Sequence, residues 1–340
     1  MNVAIYRAGA IRQGRIGTSR TNKVHIFSFY QCLIAQKNLL GEISNMTDFQ
    51  AHVGSSLGME PCDVQMVTDG VNKNLRARST NDDVFIRFSP ASLHSPSDLE
   101  SEANTLKKLI SLDVPCCEIV EVDGRQILGP VTVNEIEFNA LVIRTIVGSP
   151  LAPVPADAKA FGRSLAQVHR ASVDLPIVTK PATGEDRIHP TLRPIFRELA
   201  EQADRLRVDP EVNVGICHGD AWLGNAIMRD GTAVLFDFEF TKVGALAYDI
   251  ATFIWALRAE QSKEKELIFN SFVEGYRGES DRGFRQDELK RSLLQKEINN
   301  IEFLCENVTM SREVGLATAR LARETIDFVL GNEISRFSWR

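Results

Sequence analysis

The sequence predicts an α+β protein of two lobes, with a small β-rich N-lobe followed by a large, mainly helical C-lobe. Residues 60–150 contain short apolar segments between turn residues, with one amphipathic helix among them. Glycine and proline at positions 148 and 150 then break this pattern, and apolar residues recur at helical spacing in most of the chain that follows. These observations place the N-lobe at residues 46–146 and the C-lobe at residues 147–340.

The composition limits the class of protein before any motif is considered. The chain has 340 residues, of which 44% are hydrophobic and 25% charged, the balance of a globular protein with room for two cores. A net charge of −6 argues against a dedicated nucleic-acid partner. No apolar segment approaches the roughly 20 residues that cross a bilayer, and six cysteines without a C-x-x-C pair indicate reduced thiols. We expect a cytoplasmic monomer or homodimer that binds neither nucleic acid nor membrane.

The first 45 residues differ from the rest in charge. They contain six basic residues and no acidic residue before Glu42. We interpret this block as an extension upstream of a start at Met46, packed weakly on the lobes and contributing no site residue. A targeting segment or an integral part of the fold are the alternatives.

The predicted elements of the N-lobe follow in order along the chain. Residues 84–88 form a short apolar strand after an Asn-Asp-Asp turn. Residues 97–112 form a helix with glutamates in its first turns and lysines near its end, as the helix dipole favours. Two further strands, at 126–128 and 140–143, flank an Asn-Glu turn. In the C-lobe, residues 158–169, 192–207 and 247–330 show helical periodicity.

The most informative segment is a predicted hairpin in the C-lobe. Asp230 and Gly231 stand between two short apolar runs and predict a type I′ turn, which requires positive φ at both central residues. A two-residue turn there pairs Asn225 with Phe236. Asn225 therefore ends one strand beside Asp237, which follows the other. Two oxygen-bearing side chains at one end of a rigid hairpin suit a magnesium ion that keeps several other ligands.

The motif around this hairpin resembles a known superfamily. His-Gly-Asp at 218–220 precedes Asn225 at the spacing of the kinase catalytic loop, and Asp-Phe-Glu follows at 237–239. Tyr-Asp-Ile-Ala at 248–251 completes the pattern. The sequence thereby resembles the aminoglycoside phosphotransferase and choline/ethanolamine kinase superfamily over residues 67–278, which implies a protein-kinase-like fold.

The resemblance implies an activity and roles for individual residues. It implies an enzyme that uses ATP and Mg²⁺ to move the γ-phosphate to a hydroxyl of a small molecule. Asp220 matches the catalytic base, and Asn225 and Asp237 match the magnesium ligands. His218 and Asp249 match residues that brace the catalytic loop. Glu239 has two readings that the sequence leaves open, a further metal contact or a surface carboxylate.

The N-lobe offers weaker matches to a nucleotide site. Gly70 and Asn72 occupy the place of the phosphate-covering loop, which here has a single glycine. Arg87 replaces the usual nucleotide-binding lysine, and an arginine can bind carboxylate or phosphate with two hydrogen bonds. Glu102, on the following helix, is the expected ion-pair partner. The hinge strand should contact adenine through the backbone of Ile143 and Thr145.

Several alternatives stay open from the sequence. The acceptor could be an amino alcohol such as choline or ethanolamine, homoserine, a sugar or an aminoglycoside. The chain could instead phosphorylate protein Ser/Thr side chains, or bind nucleotide as a pseudokinase. A quaternary ammonium would require an aromatic cage, for which Trp255, Tyr276 and Phe303 are available. Trp222 and His169 are expected to be packing residues.

Overall fold

The computed structural model describes residues 63–80, 82–171, 184–206, 213–260 and 262–339, together with Phe49 and Val53. These residues form an antiparallel sheet with one helix, followed by a helical lobe with short strands, which confirms the predicted α+β class. The prediction for residues 1–45 lies outside the described residues.

The N-lobe is built on five antiparallel strands in the order β1-β2-β3-β5-β4. The predicted strand at 84–88 lies within β3, and the Asn-Glu turn joins β4 to β5 with positive φ at both residues. The strands are β1 (Asp63–Asp69), β2 (Lys73–Arg78), β3 (Asp83–Pro90), β4 (Ile127–Val133) and β5 (Ile136–Arg144). Phe49 packs on the core of this sheet, with its ring 4.9 Å from that of Phe88 and 5.3 Å from that of Phe138.

Helix α1 (Pro96–Ser111) connects this sheet to the rest of the protein. Ser95 caps its first turn and Asp98 bonds back to the Ser95 backbone, which satisfies amide groups that a helix start otherwise leaves unpaired. The helix contacts β4 and β5. Its buried leucines belong to the main core shared with the C-lobe. The same helix buries Glu102.

The C-lobe contains six α-helices among the described residues, with short strands between them. The predicted helical stretch at 247–330 comprises four separate helices. The helices are α2 (Pro155–Arg170), α3 (Arg193–Arg205), α4 (Ala247–Ala259), α5 (Lys265–Arg277), α6 (Gln286–Asn307) and α7 (Arg312–Leu330). The strands are β6 (Ser149–Pro150), β7 (Val214–Cys217), β8 (Ala226–Arg229), β9 (Thr232–Leu235) and β10 (Lys242–Ala245). In the part of the chain that the structure describes, no helix has the length and apolar character to span a membrane.

Helices α2 and α5 approach each other closely through two glycines. A Cβ atom on Gly162 would lie 2.1 Å from the carbonyl oxygen of Phe272, and one on Gly275 would lie 1.9 Å from that of Lys159. Only glycine lets the two backbones come this near. The crossing positions His169, at the end of α2, beside Tyr276 on α5.

Replacing Gly162 with alanine should destabilise the protein, because the added methyl group would collide with the Phe272 carbonyl. Alanine is the better helix former by about 1 kcal/mol, whereas overpacking costs about 1–3 kcal/mol. We expect a net fall of up to about 2 kcal/mol in the free energy of unfolding, measured by urea denaturation of the full chain. Arg163→Ala, at an exposed position of the same helix, is the control and should change it by less than about 0.5 kcal/mol. A higher unfolding midpoint for Gly162→Ala would contradict the close crossing.

Candidate active site

The loop that follows β7 adopts a conformation that only glycine permits at one position. Gly219 has a φ of 88°, and a Cβ there would lie 2.1 Å from the Phe240 carbonyl oxygen. The backbone N–H groups of His218 and Gly219 both point toward the start of α4. They donate to Asp249 over 2.6 Å and 2.9 Å.

Asp249 is the buried acceptor on which this loop is built. Its side chain is completely buried, and its Oδ2 also lies 3.0 Å from Nε2 of His169. The other nitrogen of His169 lies 2.9 Å from the Tyr276 hydroxyl. Burial by itself would raise the pKa of Asp249, but its hydrogen bond with His169, the charge of His169 and the hydrogen bond from the loop amide of Gly219 hold that pKa below its usual value. Asp249 therefore stays ionised and holds the loop in place.

His218 connects the loop to the second strand of the hairpin. Its Nε2 donates to the Phe236 carbonyl over 2.9 Å, and its Nδ1 is 3.4 Å from the Asp220 amide. Its ring lies 4.3 Å from that of Phe238. Burial lowers the pKa of His218, so the ring is neutral near pH 7. This placement agrees with the bracing role predicted for His218 and assigns it no contact with a reacting group.

The hairpin has the predicted register. Asp230 and Gly231 have φ values of 51° and 79°, and β8 pairs with β9 from Arg229–Thr232 to Ala226–Leu235. The Phe236 amide donates to the Asn225 carbonyl over 3.0 Å, so the backbones meet where the sequence predicted. Asp237 follows directly, with a φ of 68°.

Asn225 is oriented by the residue expected to act as base. Its Nδ2 donates to the Asp220 carbonyl over 2.9 Å and to Asp220 Oδ2 over 3.0 Å. The side-chain Oδ1 is the oxygen that remains for a cation. The structure thus brings Asp220, Asn225 and Asp237 to one end of the hairpin.

Arg87 crosses from the N-lobe sheet to the Asp-Phe-Glu segment. Its side chain is 4% exposed and forms a buried ion pair with Glu102. Its Nη1 also lies 3.3 Å from Asp237 Oδ1. The predicted pair is therefore present, and the same arginine reaches the end of the hairpin. Arg87 Nε and Glu102 Oε1 are buried without a hydrogen-bond partner.

Glu239 is held by two side chains of the N-lobe. Asn72 Nδ2 donates to Glu239 Oε2 over 2.6 Å, and His94 Nε2 is 3.2 Å from the same oxygen. Burial opposes ionisation of Glu239, but the His94 hydrogen bond and the Arg87 charge lower its pKa. Of the two readings from sequence, the exposed surface carboxylate is wrong, because Glu239 joins the two lobes. His94 was not predicted, since a lone histidine before a helix has no distinguishing pattern.

The carboxylates at the end of the hairpin concentrate negative charge. Burial and the neighbouring charge of Glu239 raise the pKa of Asp237 above its usual value, although 35% of the side chain stays open to the cleft. No group of three His, Cys, Asp or Glu side chains in the described ranges is arranged to hold a metal ion. Asn225 and Asp237 together fit a cation that takes one carboxylate and one amide oxygen and completes its shell with water and phosphate oxygens.

Three of the residues predicted to hold the nucleotide already make backbone contacts within the N-lobe, namely Gly70, Ile143 and Thr145. Gly70 lies in the β1–β2 turn, where its amide donates to the Asn72 carbonyl over 3.1 Å. Ile143 pairs with Phe85 of β3. The amide and hydroxyl of Thr145 both donate to Asp83, over 3.0 Å and 2.7 Å. The donors of Thr145 are thus already engaged, and a contact with adenine through this residue stays a prediction.

Lys296 is a site residue that sequence reasoning missed. It lies on α6, and its Nζ is 2.8 Å from Asp220 Oδ1. Burial would lower the pKa of Lys296, but the Asp220 carboxylate raises it above its usual value. The two residues are 76 positions apart, and no local motif connects them.

The three aromatic residues considered for a cage do not come together as one. Tyr276 is buried against His169, and Trp255 donates through Nε1 to the buried Glu297 over 2.9 Å. Phe303 instead meets Phe240, with ring centroids 5.9 Å apart. The cage for a quaternary ammonium is therefore absent from these residues.

The fold and the site together define a class of protein. A five-stranded N-lobe meets a helical C-lobe at an Asp-Asn-Asp constellation of the kind used for phosphoryl transfer. The model of the APH phosphotransferase enzyme family matches residues 65–285, and the chain belongs to this family. It is thus an ATP-dependent phosphotransferase that acts on hydroxyl groups, as the sequence predicted.

Individual relatives are distant. An uncharacterised protein of Deinococcus radiodurans is 22% identical over 251 residues, which cover 66% of this chain and 71% of the relative. The structure of a microcompartment-associated aminopropanol kinase matches with a TM-score of 0.65 and 15% identity, over 85% of this chain and 98% of that one. An amicoumacin kinase in complex with AMP-PNP, Ca²⁺ and Ami matches with a TM-score of 0.64 and 16% identity, over 86% and 96%. At these identities the likeness concerns the fold.

Replacing Asp249 with alanine should destabilise the protein strongly, because two loop amides and His169 lose their buried acceptor. Removing one partner from such a pair costs about 3–5 kcal/mol. Asp249→Asn keeps one acceptor oxygen and should lose less free energy of unfolding than Asp249→Ala. Urea denaturation measures both, with Asp204→Ala at an exposed position of α3 as the control. Equal stability of Asp249→Ala and the control would show that the loop does not depend on this carboxylate.

The contribution of the Asp249 charge should also depend on pH. Because folding lowers the pKa of Asp249 from 3.8, the ionised group stabilises the fold above that value. This contribution to the free energy of unfolding is lost as the pH falls through the lower pKa that Asp249 has in the folded state. The stability gap between the native protein and Asp249→Asn should therefore narrow in acid.

Proposed function

We propose that this protein is a small-molecule kinase that transfers the γ-phosphate of Mg-ATP to an alcohol, with Asp220 as the general base. The observation that carries the proposal is the placement of Asp220, Asn225 and Asp237 at one end of the β8–β9 hairpin. Asp220 Oδ2 and Asn225 Nδ2 are 3.0 Å apart. Arg87 reaches Asp237 from the N-lobe.

Asp220 has the position and the hydrogen bonds that a base in this reaction requires. Its two oxygens accept from Asn225 and Lys296, which hold the carboxylate in one orientation. A carboxylate has about four acceptor sites, so it can also accept a hydrogen bond from an alcohol. Asp220 would take the hydroxyl proton as the alcohol oxygen bonds to the γ-phosphorus and the bond from that phosphorus to the ADP oxygen breaks. Such proton transfer contributes about 10²–10⁴-fold to a rate.

Asn225 Oδ1 and Asp237 are the side-chain oxygens that would hold Mg²⁺. The ion supplies charge neutralisation for the phosphate oxygens. The raised pKa of Asp237 supports this role, because a cation would relieve the crowding of carboxylates. A Ca²⁺ ion and AMP-PNP accompany the amicoumacin kinase, which supports nucleotide and divalent-metal use in this fold.

Arg87 would bind the nucleotide phosphates from the N-lobe side. Its ion pair with Glu102 fixes the guanidinium in a buried site. Its contact with Asp237 directs its charge toward the hairpin end. Arginine keeps this charge at every working pH.

The acceptor is proposed to be a small molecule. Asp237 and Asp249 are separated by a short segment that contains β10, which pairs with β7. A protein substrate would need a docking platform, which this segment does not provide. An amino alcohol, as in the aminopropanol kinase, and the other alcohols named from the sequence are the candidates. An ATP-consumption screen across them with Mg²⁺ tests the function.

Asp220→Asn should lower kcat by about 10²–10⁴-fold while leaving the Kd for Mg-ATP nearly unchanged, because it removes the base and keeps the shape. Asp237→Ala should weaken nucleotide binding in the presence of Mg²⁺ and have little effect without it. Calorimetric titration with AMP-PNP, with and without the metal, measures both. Asp230→Asn removes the same charge at the far, exposed turn of the hairpin and is the control. Equal losses of nucleotide affinity in the two site variants would refute the division of roles.

Arg87→Lys should raise the KM for ATP more than it lowers kcat, because lysine keeps the charge but loses the forked geometry. Steady-state kinetics at saturating acceptor give both constants. Arg78→Ala on the same sheet, with a side chain 35% exposed, is the control and should leave the KM unaffected. A normal KM for ATP in Arg87→Lys would remove this residue from the nucleotide site. Because the variant still buries the Glu102 carboxylate, its stability is also measured by thermal denaturation. This measurement separates a loss of folded protein from a change in the KM for ATP.

A further inference from the structure

One face of α6 lies along the acceptor side of the proposed active site. Lys296, Asn299, Asn300 and Phe303 occupy positions i, i+3, i+4 and i+7 of this helix and share one side of it. We call these four residues the α6 face. Nothing in the sequence comparison with the kinase motifs assigns a function to them, and Lys296 and Phe303 lie outside the matched family region, which ends at residue 285.

Three contacts connect the α6 face to the catalytic segment. Lys296 Nζ lies 2.8 Å from Asp220 Oδ1. Asn299 Nδ2 donates to the Tyr248 hydroxyl over 2.9 Å. The Phe303 ring meets that of Phe240, which follows the Asp-Phe-Glu motif and is 37% exposed.

Neighbouring residues hold the α6 face in position. Glu297 is completely buried and accepts from Trp255 Nε1 over 2.9 Å and from Thr325 Oγ1 over 2.8 Å. These bonds tie α6 to α4 and α7. The ammonium group of Lys296 also lies 5.7 Å from the centre of the Trp255 ring, which favours a cation there. These contacts hold the Lys296 side chain in one place in the cleft, unlike the side chain of an exposed lysine.

The α6 face has hydrogen-bond donors left for a ligand. An ammonium group has three N–H donors, and Asp220 accepts one of them from Lys296. Asn300 Nδ2 is buried and has no hydrogen-bond partner. Buried polar groups are normally paired, so an unpaired amide one helical turn from Lys296 suits a ligand that brings acceptor oxygens.

The charge of Lys296 favours a negative over a positive group on the part of the acceptor that meets it. Asp220 is already paired with Lys296, Glu297 is occupied by Trp255 and Thr325, and Glu239 is occupied by Asn72 and His94. An ammonium group on the acceptor would meet the charge of Lys296 at short range. A carboxylate on the acceptor could share the lysine with Asp220, which would bring its hydroxyl beside the base.

We propose that the α6 face is the acceptor subsite and that it selects small hydroxy acids over amino alcohols. This inference rests on the proposed function and narrows its substrate class. The acceptor carboxylate bonds to Lys296 and Asn300, while Phe303 and Phe240 cover its carbon chain. Lys296 is a specificity residue here and the base remains Asp220.

Matched acceptors of equal length test the proposal with the full chain, Mg²⁺ and ATP. The series is 3-hydroxypropanoate, propane-1,3-diol and 3-aminopropan-1-ol, followed by ADP release and by detection of the phosphorylated product. We expect kcat/KM to be highest for the hydroxy acid and at least about tenfold lower for the amino alcohol. Lys296→Met should raise the KM for the hydroxy acid by about tenfold or more and affect the diol less. Lys296→Glu should reverse the preference.

Two further variants complete the test. Arg291→Met removes one positive charge from an exposed position of α6 and should leave the preference unchanged. Asn300→Ala should raise the KM for the hydroxy acid even if changes at Lys296 impair folding. A native preference for the amino alcohol, or an equal loss with all three acceptors in Lys296→Met, would overturn the subsite while leaving phosphoryl transfer intact. Failure to phosphorylate any hydroxy acid overturns it too, and the proposed function itself fails only if no alcohol of the wider screen accepts phosphate.

Discussion

The buried carboxylate of Asp249 is the interaction on which the rest of the site depends. Successive amides at His218 and Gly219 can both point inward only because one ionised group accepts from both. Ionisation of a fully buried carboxyl group is unfavourable unless hydrogen bonds and opposite charge offset the loss of hydration. The hydrogen bonds that run from Asp249 to His169 and from His169 to the Tyr276 hydroxyl supply that support. The α2–α5 crossing brings these two residues together, so helix packing far from the cleft determines the shape of the catalytic loop.

A second set of contacts joins the lobes through the residues that follow the hairpin. Arg87 meets Asp237, and Asn72 and His94 both meet Glu239. Each pair couples an N-lobe side chain to the segment where the metal and phosphates are proposed to bind. The β1–β2 loop, which has a single glycine, therefore has a structural role, because its Asn72 reaches across the cleft to Glu239. The same few side chains therefore join the lobes beside the proposed nucleotide site.

The C-terminal helices supply the surface that we propose as the acceptor subsite. Helix α6 carries a buried lysine to Asp220 and an unpaired amide one turn later. The family match covers the hairpin and N-lobe residues that we propose handle the phosphate. The residues proposed to handle the acceptor come from a helix beyond the matched region. This division explains how one fold serves many alcohols.

The sequence by itself determined the parts of this protein that local rules govern. The Asp230–Gly231 turn dictated the hairpin register, because positive φ at two successive residues admits few alternatives. Short apolar runs and helical periodicity predicted three strands and the helix of the N-lobe and the helical character of the C-lobe, and fixed spacings predicted the positions of Asp220, Asn225 and Asp237. The strands β1, β2, β7 and β10 were not predicted. Only the tertiary structure decided the role of Lys296 and the use of Glu239, whose partner Asn72 lies 167 positions away. A long-range ion pair or hydrogen bond depends on how separate helices and strands pack, and neither partner carries a local pattern that identifies the other.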